Sequence, residues 1–383
     1  MRIMTYRKLR RAISFAFVLV ILLVLATGCD GSKAPSSSPA VGPSTPTATI
    51  EVASEPAAPE RKTLEQLVEQ YHSLGLTDVH NHDASGSAYA IKQSMWDQNA
   101  VSRVVLFGDV SEPSAVLTDA AAWEAYVGNP DHVVPYFSGI DLHDKSAIDD
   151  ARRLLEQGYF GIGEIVGAST YSPVVSKVAW KAFDPMDGIL PQLYELCAEY
   201  KAPVLLHIDP MAGEPIVKLE EALDAYPDTI IIVGHINAYN SPANVEALMA
   251  AHPNLYADFF AGFTDLNPDS GNTLEDFVPV MKKFSDRFLL STDSGYGLDG
   301  EEAAAIESMY RMVDLLNQED PEVAKRIAHD NYDAILQAEP ATKTQLEALG
   351  KLDFPDGQKP DLTHLSKLEA GRLLIDAQVD MTQ

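Results

Sequence analysis

Cysteine is nearly absent from this sequence, which has only Cys29 and Cys197 in 383 residues. Two cysteines cannot build a framework of disulfide bonds. Apolar residues make up 46% of the chain, which is enough for a sizeable hydrophobic core instead. Cys197 lies in the helical pattern LPQLYELCAEYKAP, with no neighbour that would activate a thiol. It is interpreted as a small buried residue, so no cysteine chemistry is expected.

Basic residues are also scarce, because 28 lysines and arginines stand against 56 aspartates and glutamates, a net charge of −28. Five of the basic residues lie in the first 28 positions, so without that segment 23 bases face 56 acids and the net charge is −33. A surface of this charge repels phosphate backbones and anionic membranes. A nucleic-acid partner is therefore disfavoured, and a small-molecule substrate is expected.

The N-terminus has the pattern of a targeting segment. A basic start, MRIMTYRKLRR, leads into the apolar run AISFAFVLVILLVLATG and then Cys29. The stretch LATGC resembles a bacterial lipobox, with Ala26 in place of the usual leucine. Residues 1–28 are therefore predicted to be a lipoprotein signal peptide, with lipidation at Cys29 and anchoring on the extracytoplasmic side of the cell membrane. The alternative is an uncleaved transmembrane anchor, which also places the protein outside the cytoplasm.

Composition divides the rest of the chain into three parts. Residues 29–61 are rich in proline, serine and alanine, and are predicted to be a disordered linker. Residues 62–340 alternate apolar runs with helical patterns and are predicted to form one enzyme domain. Residues 341–383 are predicted to be a polar C-terminal tail.

Strand-like and helix-like segments alternate through the domain, which is typical of βαβ units and a parallel sheet. Eight apolar runs recur: Leu76–His82, Val101–Val110, Val133–Asp141, Tyr159–Val166, Pro203–Asp209, Thr229–Ile236, Asn254–Phe260 and Arg287–Asp293. Eight parallel units over about 250 residues are the size of an α/β (β/α)8 TIM barrel, which is the predicted fold. An open doubly wound sheet is the alternative, but no glycine-rich phosphate loop follows the first run.

Histidines and carboxylates stand near the ends of these predicted strands. In LTDVHNHD, His80 and His82 are two positions apart, so both side chains point to the same face. All strand ends of a parallel barrel open onto one face, where other such residues would join them. The full predicted ligand set is His80, His82, Glu164, His207, His235 and Asp293.

A divalent metal explains this set better than six separate structural roles. Singly, such a histidine is commonly a hydrogen-bonded core residue, Glu164 a salt-bridged carboxylate and Asp293 a helix cap. Burying six titratable groups together is costly unless a cation satisfies them. Nitrogen and oxygen ligands suit zinc, with manganese or another divalent ion as alternatives, in one or two copies.

Further residues near the strand ends are predicted to contact the substrate or support the metal ligands. Tyr171, with Trp180 and Phe183, lies in the long connection after the fourth strand and is predicted to form an apolar wall for the substrate. The alternative for these rings is ordinary packing on the barrel. Asp209 is predicted to bind substrate, and Asp258 is a candidate for either role.

The order HxH, Glu164, His207, His235 and Asp293 resembles the amidohydrolase superfamily, and most closely its amidohydrolase 2 group. The segment RIAHDNYDAIL is similar to the helix that closes that group's domain, and the likeness spans residues 76–336. The resemblance implies one metal on His80, His82 and Asp293, with His207 beside them. In binuclear members Glu164 would bridge to a second metal on His207 and His235. In mononuclear members His207 is the third histidine ligand and His235 orients water or polarises substrate. GHIN lacks the glycine that follows this histidine in decarboxylase-like members.

The resemblance implies metal-assisted hydrolysis of a small amide, ester or lactone, with Asp293 as general base and His235 as a second catalytic residue. Three alternatives stay open. They are a TatD-like or phosphotriesterase-like phosphoester hydrolase, an amidohydrolase-type decarboxylase, and a lipid-anchored binding protein on an inactive barrel.

Overall fold

The computed structural model describes residues 61–84, 88–295, 302–354 and 360–382. All of them belong to one compact unit, residues 60–383. The predicted signal peptide, Cys29 and all of the predicted linker except Arg61 lie outside the described residues. Within the part of the chain that is described, no helix is both long and apolar enough to cross a membrane.

Eight parallel strands form the centre of the molecule, and each pairs with the next one along the chain. A bridge between Asn81 and Ser294 brings the last strand back to the first, as in a barrel. The TIM-barrel prediction is confirmed, and each predicted apolar run overlaps one strand, although β4 extends two residues beyond its predicted run. The strands are β1 (Leu76–Asn81), β2 (Val101–Leu106), β3 (Val133–Phe137), β4 (Gly161–Ala168), β5 (Val204–Ile208), β6 (Ile231–Val233), β7 (Leu255–Phe260) and β8 (Phe288–Ser291).

Helices separate the strands and cover the outside of the barrel, so most strand residues are buried on both faces of the sheet. The α-helices of the described residues are α1 (Leu64–Tyr71), α2 (Ala88–Gln98), α3 (Ala115–Gly128), α4 (Ala147–Gln157), α5 (Leu190–Tyr200), α6 (Glu214–Ala225), α7 (Pro242–Ala251), α8 (Ala261–Asp265), α9 (Leu274–Lys283), α10 (Glu302–Glu319), α11 (Pro321–Lys325), α12 (Asn331–Ala338), α13 (Lys343–Gly350) and α14 (Lys367–Asp376).

A buried carboxylate in the first strand helps to close the barrel. Asp78 accepts hydrogen bonds from the backbone N–H of Thr292 at 2.9 Å and from its hydroxyl at 2.6 Å, which ties β1 to the end of β8. Burial raises the pKa of Asp78 to about 6, although these donors oppose the shift. This contact brings the segment that contains His80 close in space to the segment that contains Asp293.

The chain after residue 340 is helical where the sequence predicted a polar tail. Helices α13 and α14 pack onto the barrel through buried Leu349, Leu368 and Leu374. The ammonium of Lys367 is fully buried, 2.6 Å from Oε2 of Glu339, and it donates to the carbonyl of Tyr159 at 3.0 Å. Tyr159 precedes β4, so these helices lie near the amino-terminal end of the barrel.

Candidate metal centre

Two histidines leave β1 side by side, and protein acceptors fix the proton on each ring. The Nδ1–H of His80 donates to Oδ2 of Asp258 at 2.7 Å, and the Nδ1–H of His82 donates to the carbonyl of Gly108 at 2.8 Å. The Nε2 atoms of both rings face the same space and lie 3.0 Å apart, so they must share either a proton or a cation between them.

Asp293 completes a first cluster with these histidines. It follows β8, and its Oδ1 lies 3.2 Å from Nε2 of His82 and 3.4 Å from Nε2 of His80. The backbone of Asp293 has a φ of +49°, in the left-handed region that non-glycine residues rarely adopt. His235, with a φ of +35°, shares this feature. Backbone strain of this kind concentrates at functional sites, because the surrounding structure must hold it in place.

A second cluster contains Glu164, His207 and His235. The Nε2–H of His207 donates to Oδ2 of Asp209 at 2.7 Å, so its Nδ1 is the nitrogen that faces the second cluster. That Nδ1 lies 3.1 Å from Oε1 of Glu164 and 3.1 Å from Nε2 of His235. The same Oε1 is 3.3 Å from Nε2 of His235. Among the described residues, the Nδ1 of His235 has no hydrogen-bond acceptor, so this ring is the least constrained of the four.

Glu164 lies between the two clusters. It was predicted near the end of its strand, and it occupies the fourth position of the eight-residue β4. Its Oε1 is 3.7 Å from Nε2 of His80, and its Oε2 is 3.7 Å from Nε2 of His82. One carboxylate therefore faces the ligand atoms of both clusters, which is the geometry required of a bridging ligand.

The electrostatics of the site favour a cation. Burial opposes the charged forms of Glu164 and Asp293, yet the His80 imidazole and its neighbours hold the pKa of both carboxyls below the usual range. The same carboxylates outweigh the effect of burial on His80 and raise its pKa well above the ordinary value. In His207, Glu164 and Asp209 outweigh burial and raise the pKa to about 9. Buried carboxylates that strengthen proton binding in this way also attract a metal ion.

The residues fit a divalent metal. Within each cluster, one ligand atom per residue can be chosen so that all three lie within 4.8 Å of one another, and five of the six side chains are buried. The structure thus brings together all six predicted ligands, from five different strands or their ends. Their roles as ligands remain predictions.

Asp258 and Asp209 support the ligands from behind. Asp258 receives the Nδ1–H of His80 and also the backbone N–H of His235, at 3.0 Å, so it positions one residue of each cluster. Asp209 is fully buried and was predicted to bind substrate. Besides the His207 ring, its oxygens accept hydrogen bonds from Ser169, Thr170, Tyr171 and Ser172. These bonds leave no free acceptor for a substrate, so the structure corrects that prediction and makes Asp209 a positioning residue.

The rings predicted to form an apolar wall lie in the β4–α5 connection, and their contact with substrate stays a prediction. Tyr171 is 67% exposed and Phe183 is 76% exposed, because the backbone around them is bonded to the barrel and their rings point to solvent. Trp180 is half-buried. Phe263 in α8 was not predicted as a site residue, yet its ring meets the His235 ring edge-on at 5.7 Å. A phenylalanine in a short helix after β7 has no ligand-like spacing that would single it out.

Comparisons with known proteins agree with this architecture. The sequence matches the family described as amidohydrolase over residues 78–331, about two thirds of the chain. No curated protein matches it.

Solved structures resemble it at low identity. An uncharacterised TIM-barrel protein from Bordetella bronchiseptica is 16% identical, covers 68% of this chain and 98% of its own, and has a TM-score of 0.48. A dihydroxybenzoic acid decarboxylase from Polaromonas, with bound manganese and 2-nitroresorcinol, is 12% identical, with coverages of 68% and 96% and a TM-score of 0.45. A TatD-family hydrolase from Entamoeba histolytica is 11% identical, with coverages of 68% and 97% and a TM-score of 0.48. None of the three decides which reaction this chain catalyses.

Proposed function

This chain belongs to the amidohydrolase family, and from that premise we propose that it is a metal-dependent hydrolase of a small amide, ester or lactone. The observation that carries the proposal is the position of Glu164, whose carboxylate faces the ligand atoms of both histidine clusters. His80, His82 and Asp293 would hold one divalent ion, and His207 and His235 a second, with Glu164 shared between them. Zinc suits this nitrogen and oxygen set, and manganese is the alternative.

A bound divalent ion supplies Lewis acidity, which acidifies water and polarises a carbonyl oxygen. The carboxylate of Asp293 takes the proton of the attacking water and returns it to the leaving group. Its lowered pKa keeps it ionised and ready to accept that proton at neutral pH. When His80 and His207 bind a metal, Asp258 and Asp209 would accept the remaining proton on the opposite side of each ring, so that the ligand nitrogens face the ion.

The acidic surface counts against a phosphoester substrate. Among the described residues, no lysine or arginine forms an ion pair with Glu164 or Asp293, so the charge of a phosphate beside them would be offset by the metal ions alone. The substrate we propose is therefore a small neutral carbonyl compound.

We propose further that Cys29 carries a lipid that holds the enzyme at the outer side of the cell membrane. Membrane fractionation of a Cys29→Ser variant tests this.

Elemental analysis of the purified protein tests the metal centre. We expect close to two divalent ions per chain, falling towards one in Glu164→Gln, because the amide cannot bridge two cations. Asp293→Asn should lower ester hydrolysis by about 10²- to 10⁴-fold, the range of general acid–base catalysis. A parent protein that binds no metal after supplementation with zinc or manganese would refute the proposal and favour a binding protein on an inactive barrel.

The products separate hydrolysis from decarboxylation. A hydrolase releases acid from esters or lactones, which a pH-stat records, whereas a decarboxylase releases carbon dioxide from aromatic carboxylates. One metal per chain that is unchanged in Glu164→Gln, together with carbon dioxide release, would assign the decarboxylase reaction instead.

A further inference from the structure

Tyr239 stands at the carboxyl end of the barrel without an assigned role. It directly follows a one-turn 3₁₀ helix, Ile236–Ala238, which begins directly after His235. Tyr239 is 41% exposed. Among the described residues, its phenol has no hydrogen-bond partner. A half-exposed tyrosine with a free hydroxyl, four residues from a predicted metal ligand, is placed to meet a substrate.

The turn that carries Tyr239 is braced on both sides. The backbone N–H of Ala238 donates to the carbonyl of His235 at 2.8 Å, and the side chain of Asn240 donates to the carbonyl of Ile236 at 2.8 Å. The side chain of Asn237 donates to the carbonyl of Phe260 and to the hydroxyl of Thr264, at 2.8 and 3.0 Å. Tyr239 thus extends from a fixed platform, as precise positioning of a functional group requires.

The phenol lies within the electrostatic field of the metal centre. Partial burial raises its pKa, and the negative charges of Asp209, Asp293 and Glu164 raise it further. These three residues belong to both clusters and to the support behind His207, so the charges of the site reach the phenol. A raised pKa also keeps the hydroxyl protonated, and therefore able to donate, at neutral pH.

We propose that Tyr239 is a further catalytic residue, whose hydroxyl donates a hydrogen bond to the substrate oxygen that gains negative charge during hydrolysis. This inference rests on the proposed function. The water oxygen bonds to the carbonyl carbon, the bond from that carbon to the leaving oxygen breaks, and the proton passes from water through Asp293 to the leaving oxygen. Tyr239 keeps its own proton. A donor aimed at developing charge stabilises the transition state more than the bound substrate, so it acts on kcat more than on KM.

The test is Tyr239→Phe, which removes the hydroxyl and keeps the ring. We expect kcat for a series of esters with one acyl group to fall by about 10- to 100-fold, with KM changed by less than about threefold. An equal loss for aryl and alkyl esters would place the bond on the carbonyl oxygen. A loss that grows as the leaving alcohol becomes poorer would place it on the leaving oxygen.

Tyr226→Phe is the matched control, because Tyr226 is a half-buried tyrosine that follows α6, on the amino-terminal side of β6. It should retain the parent kcat. Tyr239→Gln, which restores an N–H donor, should recover part of the loss. Unchanged kcat in Tyr239→Phe overturns the inference, and so does a loss of bound metal in that variant, since Tyr239 would then be structural. A parent protein that hydrolyses no ester, lactone or amide would instead reject the proposed function, and this inference with it.

Discussion

At the scale of single residues, we expect the metal centre to depend on Asp258, a fully buried carboxylate behind His80. Asp258→Asn tests this. An asparagine that turns its N–H₂ towards His80 leaves the ring proton on Nε2, the atom predicted to bind metal. We expect metal affinity to fall by about 10- to 100-fold, the usual cost of losing such a partner, with the fold retained. Titration of the metal-free protein with zinc, followed by calorimetry, measures the change.

Asp286→Asn is the control for this variant, because Asp286 is an exposed aspartate whose only ion pair among the described residues is a 4.0 Å contact with Arg287. Its metal affinity should equal that of the parent. If Asp258→Asn also binds zinc as tightly as the parent, Asp258 does not set the tautomer of His80.

The six predicted ligands are accessible to sequence reasoning because chemistry and position coincide in them. A histidine or a carboxylate at the end of an apolar run is conspicuous, and the parallel barrel then brings such ends together. Asp209 also lies at the end of an apolar run. Its role could not be predicted, because its five hydrogen-bond donors come together only in the folded chain. The 67% exposure of Tyr171 could not be predicted either, since the direction of a loop side chain is set by backbone contacts that have no periodic signal.

At the scale of elements, the short helix α8 links the site to the outer layer. Asp265 ends α8 and is almost fully buried. It accepts a hydrogen bond from Ser308, pairs with Arg311 in α10, and lies 2.7 Å from a guanidinium nitrogen of Arg61. Asp265→Asn should lower the free energy of unfolding by about 1–3 kcal/mol. This loss is smaller than the loss from breaking a fully buried ion pair, because both arginines are partly exposed to solvent. Urea denaturation measures it.

Metal content should stay unchanged in Asp265→Asn, because α8 contributes no ligand. The matched control is Lys283→Gln, which breaks an exposed pair with Glu246 and should change stability by less than about 1 kcal/mol. A stability loss no greater than that of the control would show that Asp265 does not anchor α8.

The strands could be predicted because they are buried on both faces and appear as continuous apolar runs. The last two helices were missed although their caps are visible in the sequence. Thr342 with Gln345, and Ser366 with Glu369, each form a capping box in the structure. The helices that follow are 8 and 10 residues long, too short for their apolar positions to show a clear helical period.

At the scale of the whole molecule, the predicted metal ligands and the buried Lys367–Glu339 ion pair lie at opposite ends of the barrel. The predicted ligands lie in or just after the strands at the carboxyl end, and the buried Lys367–Glu339 pair lies beside Tyr159, before β4. The aromatic rings of Phe160 and Tyr200 lie 5.8 and 5.9 Å from the Lys367 ammonium. A change at this pair should therefore alter stability without altering the metal centre.

Lys367→Met tests this separation. It leaves the carboxylate of Glu339 buried without its partner, and should lower the free energy of unfolding by about 3–5 kcal/mol. Burial already raises the pKa of Glu339 to about 8, well above its value in the unfolded chain. As the pH rises from about 4.5 to 8, this carboxyl ionises in the unfolded chain but stays protonated in the folded chain, which lowers the free energy of unfolding. The variant should therefore lose more stability at pH 8 than at pH 5. The double variant Lys367→Met/Glu339→Leu removes both charges and should recover most of the loss, with the metal content of the parent throughout. A single variant as stable as the parent at pH 8 would show that this pair does not hold the carboxyl-terminal helices to the barrel.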